Sequence, residues 1–508
     1  MGREAHPGPA RGGMTRRAEA RFRREPRRAS ASLVVPRFTS PCAARLLGWL
    51  AAASVVLGPP SPAHATTYYV RQTVGDDAND GLSPEHAWRH VEKLSAAMQA
   101  GDTAYVGPGL YREGVDVQND GRVDARIVFI GDTTGQHTGD PPGIVMLAGS
   151  DPVDGAIFVP DDAPGTYHAS FPAYPVWGAV EMEGPQFRYL RTSQTKEHLV
   201  DGLSELEVVA RIPSSYFYDP ESKVLHLHTS DGRPPAQHRM EVIVRGNGFF
   251  VQGKHFVTIS GFTLRSMQDA GISFFKGSGD GVAFDNVAYG SRQGVRVYGA
   301  TNVLLYDNIL FRNENSGAYF AAQSSGGSAL GNRCYENVKG LRWSSQSNHA
   351  LALDNVLFDN QEDGLAIEEM RGAILRRNRM VGNLHSQLLV LKSEYSSEAN
   401  CFAPTSGDAL VADFFPFPYQ GRYKNLAEYQ RAQHEDLHSR EGGCEAPPVK
   451  LDVHQLDAEA SGYAERARHI LDGTLVPTPE ATPAPATSPG EGGSLAPVLR
   501  YLKSLFAK

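Results

Sequence analysis

Arg296, Tyr298, Tyr319, Arg342 and Glu368 fall in a family of short runs, each opened by a glycine: Gly294-Val-Arg-Val-Tyr, Gly317-Ala-Tyr-Phe-Ala, Gly340-Leu-Arg-Trp-Ser and Gly364-Leu-Ala-Ile-Glu. Alternation with period two is the pattern of a strand with one buried face. If Ile272, Val295, Ala318, Leu341 and Leu365 point inward, then Ser273, Arg296, Tyr319, Arg342 and Ala366 point outward. Two positions later the outward column is Phe275, Tyr298, Ala321, Ser344 and Glu368. Arginine forks hold carboxylates in bidentate fashion, and tyrosine offers a flat ring to a sugar. Arg296 and Arg342 lie two runs apart, about 10 Å if successive runs pair as strands. This is the footprint of an acidic polysaccharide. A solvated sheet face, with Arg and Tyr as its cover, reads equally well.

The run after Gly364 and its successor are richest in groups that catalyse. They hold Glu362, Asp363, Glu368, Glu369, Arg371, His385 and Lys392, with Lys392 23 residues after Glu369. Proton abstraction from a uronate needs a base and a cation to hold the developing charge. Glycoside hydrolysis needs two carboxylates, about 5 Å apart for retention and about 6.5–9.5 Å for inversion. Glu368 with Asp363 or Glu336 is the pair on offer. Asp285, Asp307 and Asp354 form a further column, read as solvated turns or a calcium site, but Gly331 interrupts it and Arg377 ends it. The sequence holds no His/Cys cluster of zinc-site spacing and no nucleotide-binding loop.

The elements that must position these side chains recur. Asn286, Asn308, Asn332, Asn355 and Asn378 stand at spacings of 22, 24, 23 and 23. Ser291, Asn313, Asn337, Asn360 and Asn383 follow each by five positions. Gly271, Gly294, Gly317, Gly340 and Gly364 form a third column. A fixed period of this size means stacked structural repeats. A repeat of about 23 residues has no room for a long helix but accommodates three short strands, one coil of a parallel β-helix. Asparagine suits the bends and can bond along a ladder, so these columns read as scaffold.

The 508 residues are 41% hydrophobic, enough for a sizeable core. Residues 1–65 hold 11 Arg, no Lys and 3 acidic residues, a net of +8, which leaves −16 on the remainder. So acidic a chain disfavours nucleic acid as a partner. The basic Arg16–Arg28 stretch, the short apolar segment Leu46–Leu57 and Ala63-His64-Ala65 predict an export leader over 1–65, cleaved before Thr66. A retained anchor is the alternative, and Met14 is a second candidate start. Export predicts a secreted, periplasmic or cell-surface location. In that setting Cys401 and Cys444 pair as a disulfide, with free thiols as the alternative. Cys334 replaces Leu310 and Leu357 in a core column and reads as a buried thiol.

Thr67–Val117 reads as strand, polar turn, amphipathic helix at Val91, Leu94, Ala97 and Met98, then a tight turn into a strand. A solenoid end needs such a cover. Gly75-x-Asp77-x-x-Asp80-Gly81, then Gly101-Asp102 and Pro108-Gly109-x-Tyr111, resembles the opening of secreted right-handed parallel β-helix proteins of the pectate-lyase-like superfamily. With the repeats, the resemblance spans most of 67–472. It implies an all-β, right-handed parallel β-helix. It also implies a carbohydrate-active role as lyase or glycoside hydrolase, with lysine or arginine as base in the lyases, hence Lys392 or Arg342. A non-catalytic binding or surface-display protein is the alternative. The Asp-Pro-His-Asp motif of alginate epimerases is missing. Asp76, Asp77 and Asp80 form a polar turn or hold calcium, the one cofactor the sequence raises.

The remaining divisions follow from composition. Residues 66–150 hold the N-terminal cap and first coils. Residues 151–245 break the period and read as a β-rich insertion of a kind seen in carbohydrate-active β-helix proteins. Val208–Ile212 reads there as a strand, and Tyr218–His228 as a hairpin turning at Asp219–Ser222. Regular coils occupy 246–395. A C-terminal cap spans 396–473, with a helix near Leu426–His434 and a Tyr423–Ser439 pattern also familiar from secreted β-helix proteins. Residues 474–493 form a Pro-rich linker. Residues 494–508 form an amphipathic basic helix that meets a membrane surface or partner, or a loosely ordered tail. A monomer is expected.

Overall fold

A computed structural model describes residues 65–182, 188–189, 191–192, 203–403, 407, 409–414 and 421–471. The linker, the tail helix and all of the leader but Ala65 lie outside these residues. Three ten-stranded sheets are stacked along one axis. The first runs from Thr67–Val70 to Tyr395–Glu398, and the second from Gly109–Tyr111 to Arg440–Glu441. The third begins at Val115–Asp116, has the longest strands, and ends at Ala409–Asp413 with Gly421–Tyr423 added antiparallel. Each coil of the regular region gives one strand to each sheet, and equivalent strands pair in parallel. This is the all-β parallel solenoid that the period predicts.

Side-chain alternation builds the interior. Ile272, Val295, Ala318, Leu341, Leu365 and Leu388 stack as a fully buried column of the third sheet. Phe274, Val297, Phe320, Trp343, Ile367 and Val390 form the next, with the Phe320 and Trp343 rings stacked at 4.6 Å. Cys334 lies in this core as a free thiol, and burial pushes its pKa up.

The ladder residues fix the corners. Asn286, Asn308, Asn332, Asn355 and Asn378 are buried, and each Nδ2 donates to the next Oδ1 at 2.9–3.1 Å. The ladder runs one coil further than read, to Asn400, whose Nδ2 donates to Asp436 Oδ1. The second ladder links Asn313, Asn337, Asn360 and Asn383 in the same way. The residue before each first-ladder asparagine sits in the left-handed region: Asp285 (φ 52°), Asp307 (50°), Gly331 (65°), Asp354 (56°) and Arg377 (53°). Aspartate and glycine tolerate that geometry best, so backbone conformation accounts for the Asp column. The glycine column has another cause. A Cβ on Gly294 would lie 2.6 Å from the Gly317 carbonyl, and one on Gly317 would lie 2.7 Å from the Gly340 carbonyl. Only glycine lets adjacent coils approach this closely.

The N-terminal cover is one 3-10 turn, Val91–Lys93, running into the single helical turn Leu94–Ala97. Val91, Leu94, Met98 and Trp88 are buried in the solenoid core. The aspartates of the preceding turn serve their own backbone. Asp76 Oδ1 accepts from Ala78 N at 3.0 Å, Asp80 Oδ1 from Leu82 N at 3.0 Å, and Asp77 Oδ1 from Arg89 N at 2.9 Å.

The insertion contains a four-stranded and a five-stranded sheet, with the expected hairpin in Ser215–Asp219 and Val224–His228. The expected strand at Val208–Ile212 is instead a helix, Glu205–Arg211. Ser204 Oγ accepts from Glu207 N while Glu207 Oε2 accepts from Ser204 N, and this capping box overrides the β-branched pair Val208-Val209. Both valines are buried.

At the C-terminal end, helix Leu426–Gln433 starts on an Asn425 cap and ends at left-handed His434. Its Leu426 and Tyr429 close the core. Cys401 and Cys444 form a disulfide. Replacing both with serine is expected to lower the unfolding free energy by about 2–4 kcal/mol, measured as a denaturant midpoint shift without reductant. An unchanged midpoint would mean that the loop is held by other contacts. A long helix, Val453–Leu471, follows and was not anticipated. Its Val453 and Ala460 pack on an outward aromatic stack of the second sheet, Tyr289, Phe311, Tyr335 and Phe358, with ring centroids 4.8–5.0 Å apart.

Candidate functional site

The third sheet presents the outward columns in the expected register. Ser273 is opposite Arg296, Arg296 opposite Tyr319, Tyr319 opposite Arg342, and Arg342 opposite Ala366. Two coils separate the arginines, about 10 Å. Phe250, Phe275 and Tyr298 run beside them, with ring centroids 5.6 and 5.4 Å apart. The Arg296 guanidinium lies 5.0 Å from the Phe275 ring, and that of Arg342 lies 5.1 Å from the Tyr319 ring. Arg296, Tyr298, Tyr319, Arg342 and Glu368 are all half-buried. The result is a strip of aromatic rings and cations, each cation over a ring.

Both arginines already have carboxylate partners. Arg296 Nη1 lies 3.2 Å from Asp269, and its Nε donates to Ser273 Oγ at 3.1 Å. Arg342 donates to Glu368 Oε2 through Nη2 at 2.7 Å and Nε at 3.2 Å. Burial pulls the Arg296 pKa down more than Asp269 restores it. At Arg342 burial acts the same way, but Glu368 outweighs it and the pKa rises. Both groups remain cations. A carboxylate arriving in a ligand can exchange with the protein carboxylates for the same donors.

The other candidates separate into two groups at opposite ends of one strand, Asp363–Glu368. Its five-residue span places Asp363 about 17 Å from Glu368. At the first end, fully buried Asp363 accepts from His385 Nδ1 at 2.7 Å, from Ser386 Oγ at 2.6 Å and from Lys339. Glu362 also bonds Lys339. Burial alone would raise the Asp363 pKa, but His385, Lys339 and Ser386 overcome it and hold the carboxyl below its usual range. At the second end, Glu369 and Lys392 occupy left-handed turn positions (φ 54° and 47°) just past their strands. They pair with each other at 3.3 Å, with side chains 54% and 47% exposed. Arg371 is exposed and lies 3.8 Å from Glu394. Glu336 sits in a different corner, bonded by Arg312 at 2.6 Å and Lys450 at 2.7 Å. The structure thus joins Arg342 with Glu368, Glu369 with Lys392, and Asp363 with His385 and Lys339. It does not bring Asp363 or Glu336 to Glu368.

Residues 247–402 match the family model described as a right handed beta helix region. The chain is a right-handed β-helix. No curated protein matches it. Among solved structures, this β-helix is similar to a XylC complex with xylose, at 14% identity over 68% of this chain and 67% of that one, TM-score 0.49. It is also similar to a glycoside hydrolase, at 10% identity over 68% and 89%, TM-score 0.46. A third is the pectate lyase Pel9A, at 12% identity over 68% and 77%, TM-score 0.39.

Phe250 and Asp269 belong to the strip but were not singled out from the sequence. Phe250 precedes the regular glycine column, although its register with Ser273 puts it on the outward face. Asp269 lies in a turn, where alternation assigns no side.

Proposed function

We propose that this β-helix is an exported carbohydrate-active protein whose third-sheet face binds an acidic polysaccharide and acts on it. The observation that carries the reading is the half-buried strip Phe275, Arg296, Tyr298, Tyr319 and Arg342, in which each guanidinium lies over a ring. Cation and ring together match a sugar bearing a carboxylate, and the coil spacing repeats the arrangement along the axis. The Cys401–Cys444 disulfide supports export, since such bonds persist in oxidising compartments.

Of the two reactions, β-elimination fits the face better than hydrolysis. Asp363 is buried and held ionised at the far end of its strand, and Glu336 is bonded by two cations in another corner. Neither of the two carboxylates proposed as partners of Glu368 in a hydrolytic pair therefore stands beside it. In an elimination, Arg342 would hold the uronate carboxylate as charge develops on it, and Lys392 is the candidate base. Non-catalytic binding is the second reading. It is favoured by Lys392 and Glu369, which pair with each other across an exposed turn.

The test is a screen of the full chain on uronic-acid and neutral polysaccharides, following the ultraviolet absorbance of unsaturated product, new reducing ends, and retention on immobilised polymer. Arg342→Ala is expected to weaken binding about tenfold to a hundredfold, the worth of a charged hydrogen-bond partner. Lys392→Ala separates the readings. It abolishes turnover while sparing retention if Lys392 is the base, and changes neither readout if the face only binds. Equal retention of wild type and Arg342→Ala on acidic polymers would overturn the proposal.

A further inference from the structure

We propose that the insertion carries a binding site for one divalent transition-metal ion, built from Asp161, His168 and His226. Asp161 lies just past one strand and His168 on the next, His226 lies 58 residues after His168, and the three meet on one face of the five-stranded sheet. His168 and His226 are directly opposed in antiparallel strands Thr166–Ser170 and Val224–His228. Opposed residues point to the same side, and their rings lie 5.6 Å apart. Asp161 follows the short strand Val159–Pro160, which pairs with His168 and Tyr167. Its own N donates to Thr166 O at 2.9 Å, which turns the carboxylate back over the histidines.

Each carboxylate oxygen faces a different imidazole. Oδ1 lies 2.7 Å from His168 Nδ1, and Oδ2 lies 2.9 Å from His226 Nδ1. One donor atom from each residue falls within 4.8 Å of the other two. The His226 approach is a hydrogen bond. The buried His168 Nδ1 lacks hydrogen-bond geometry despite its short distance. An ion that binds both Nδ1 lone pairs and one carboxylate oxygen gives the unpartnered His168 Nδ1 a ligand. Phe217, stacked on His226 at 6.4 Å and 17°, fixes the plane of that ring.

The chemical class follows from the donors. Two imidazoles and one carboxylate suit zinc and its neighbours, whereas calcium and magnesium take oxygen ligands. Zinc–ligand distances near 2.0–2.2 Å put tetrahedral donors about 3.4 Å apart, so these atoms must part by roughly half an ångström as the ion enters. The side chains are between 19% and 36% exposed, so an ion can enter and the fourth position stays open to water. The ion would tie the edge strand of the insertion to its central hairpin.

The experiment titrates the chelator-treated full chain with zinc by calorimetry and with cobalt by visible absorption. One equivalent is expected at neutral pH, with a higher melting temperature. His168→Ala with His226→Ala is expected to weaken binding about a hundredfold or more, while exposed His438→Ala leaves it unchanged. If the double variant folds poorly, proton NMR of the cobalt-loaded wild type must show two paramagnetically shifted imidazole N–H resonances. Absence of saturable uptake by the wild type, or full-affinity uptake by a folded double variant, would overturn the proposal. Polysaccharide retention is read separately and does not enter this test.

Discussion

Glu241→Gln is expected to lower the unfolding free energy by about 3 kcal/mol, the cost of removing one carboxylate from a buried ion-pair network. The network centres on Arg265, 1% exposed on the outward face of the second sheet. Its Nη1 lies 2.8 Å from Glu241 of the insertion, and its Nε lies 2.8 Å from Asp457 of the C-terminal helix. Arg112 joins Glu241 at 2.7 Å, and Ser150 Oγ donates to it at 2.5 Å. One guanidinium thus joins solenoid, insertion and helix. Burial alone would raise the Glu241 pKa, yet Arg265 and Arg112 overcome it and hold the carboxyl well below its usual range. The sign follows from that depression. Glu241 stabilises the fold above its unfolded pKa, near 4.5, and this contribution is lost as pH falls toward the folded value. Asp457 runs the other way, because burial and the Glu241 charge raise its pKa. Denaturant titrations of wild type and Glu241→Gln at neutral and acidic pH check both statements. The difference should shrink at low pH, and a neutral-pH difference below about 1 kcal/mol would mean that the three-way junction is wet rather than buried.

Asn332→Leu is the second large effect, expected to cost about 3 kcal/mol or more. Asn332 is fully buried mid-ladder. Its Oδ1 accepts from Asn308 N and Nδ2, both at 3.0 Å. Its Nδ2 donates to Leu305 O at 3.0 Å and Asn355 Oδ1 at 3.1 Å. Leucine fills a similar volume but strands the Asn308 donors and the Leu305 carbonyl in a dry interior, where each orphaned group costs about 1–3 kcal/mol. Because a solenoid couples each repeat to its neighbours, the damage should appear as early hydrogen exchange in the coils on both sides. Exposed Arg333→Ala, in the adjacent strand, is the control and should shift the midpoint by less than about 0.5 kcal/mol. Equal midpoints for the two variants would show that the ladder contributes register but little stability.

The fold was legible because its causes repeat. One asparagine is weak evidence; five at a common period locate a corner, and the alternation after each glycine gives the buried face. The site was legible only as far as alternation reaches. It placed Arg296, Tyr319 and Arg342 outward together. The same rule warns against pairing Asp363 with Glu368, since residues five apart on a strand face opposite sides. What stayed hidden was assembled by long-range packing. Arg265 meets Glu241 and Asp457 across three segments, and Asp161 meets His168 and His226 through strand pairing inside a segment without a period. The helix at Glu205–Arg211 was readable in part, through Ser204 and Glu207, but the paired valines suggested a strand.

The aromatic stack on the second sheet also has a history in time. Phe358 is complete 95 residues before Val453, the first residue of the helix that covers it. At a synthesis rate of about 5–20 residues per second, Phe358 waits roughly 5–20 s beside a growing chain before its cover arrives, and Tyr335, Phe311 and Tyr289 wait progressively longer. For that interval the solenoid can already be wound while one flank remains sticky, a surface on which a chaperone or a second nascent chain could settle. The latch that ends this exposure is the Arg265–Asp457 contact, so a folded β-helix and a finished one are different species.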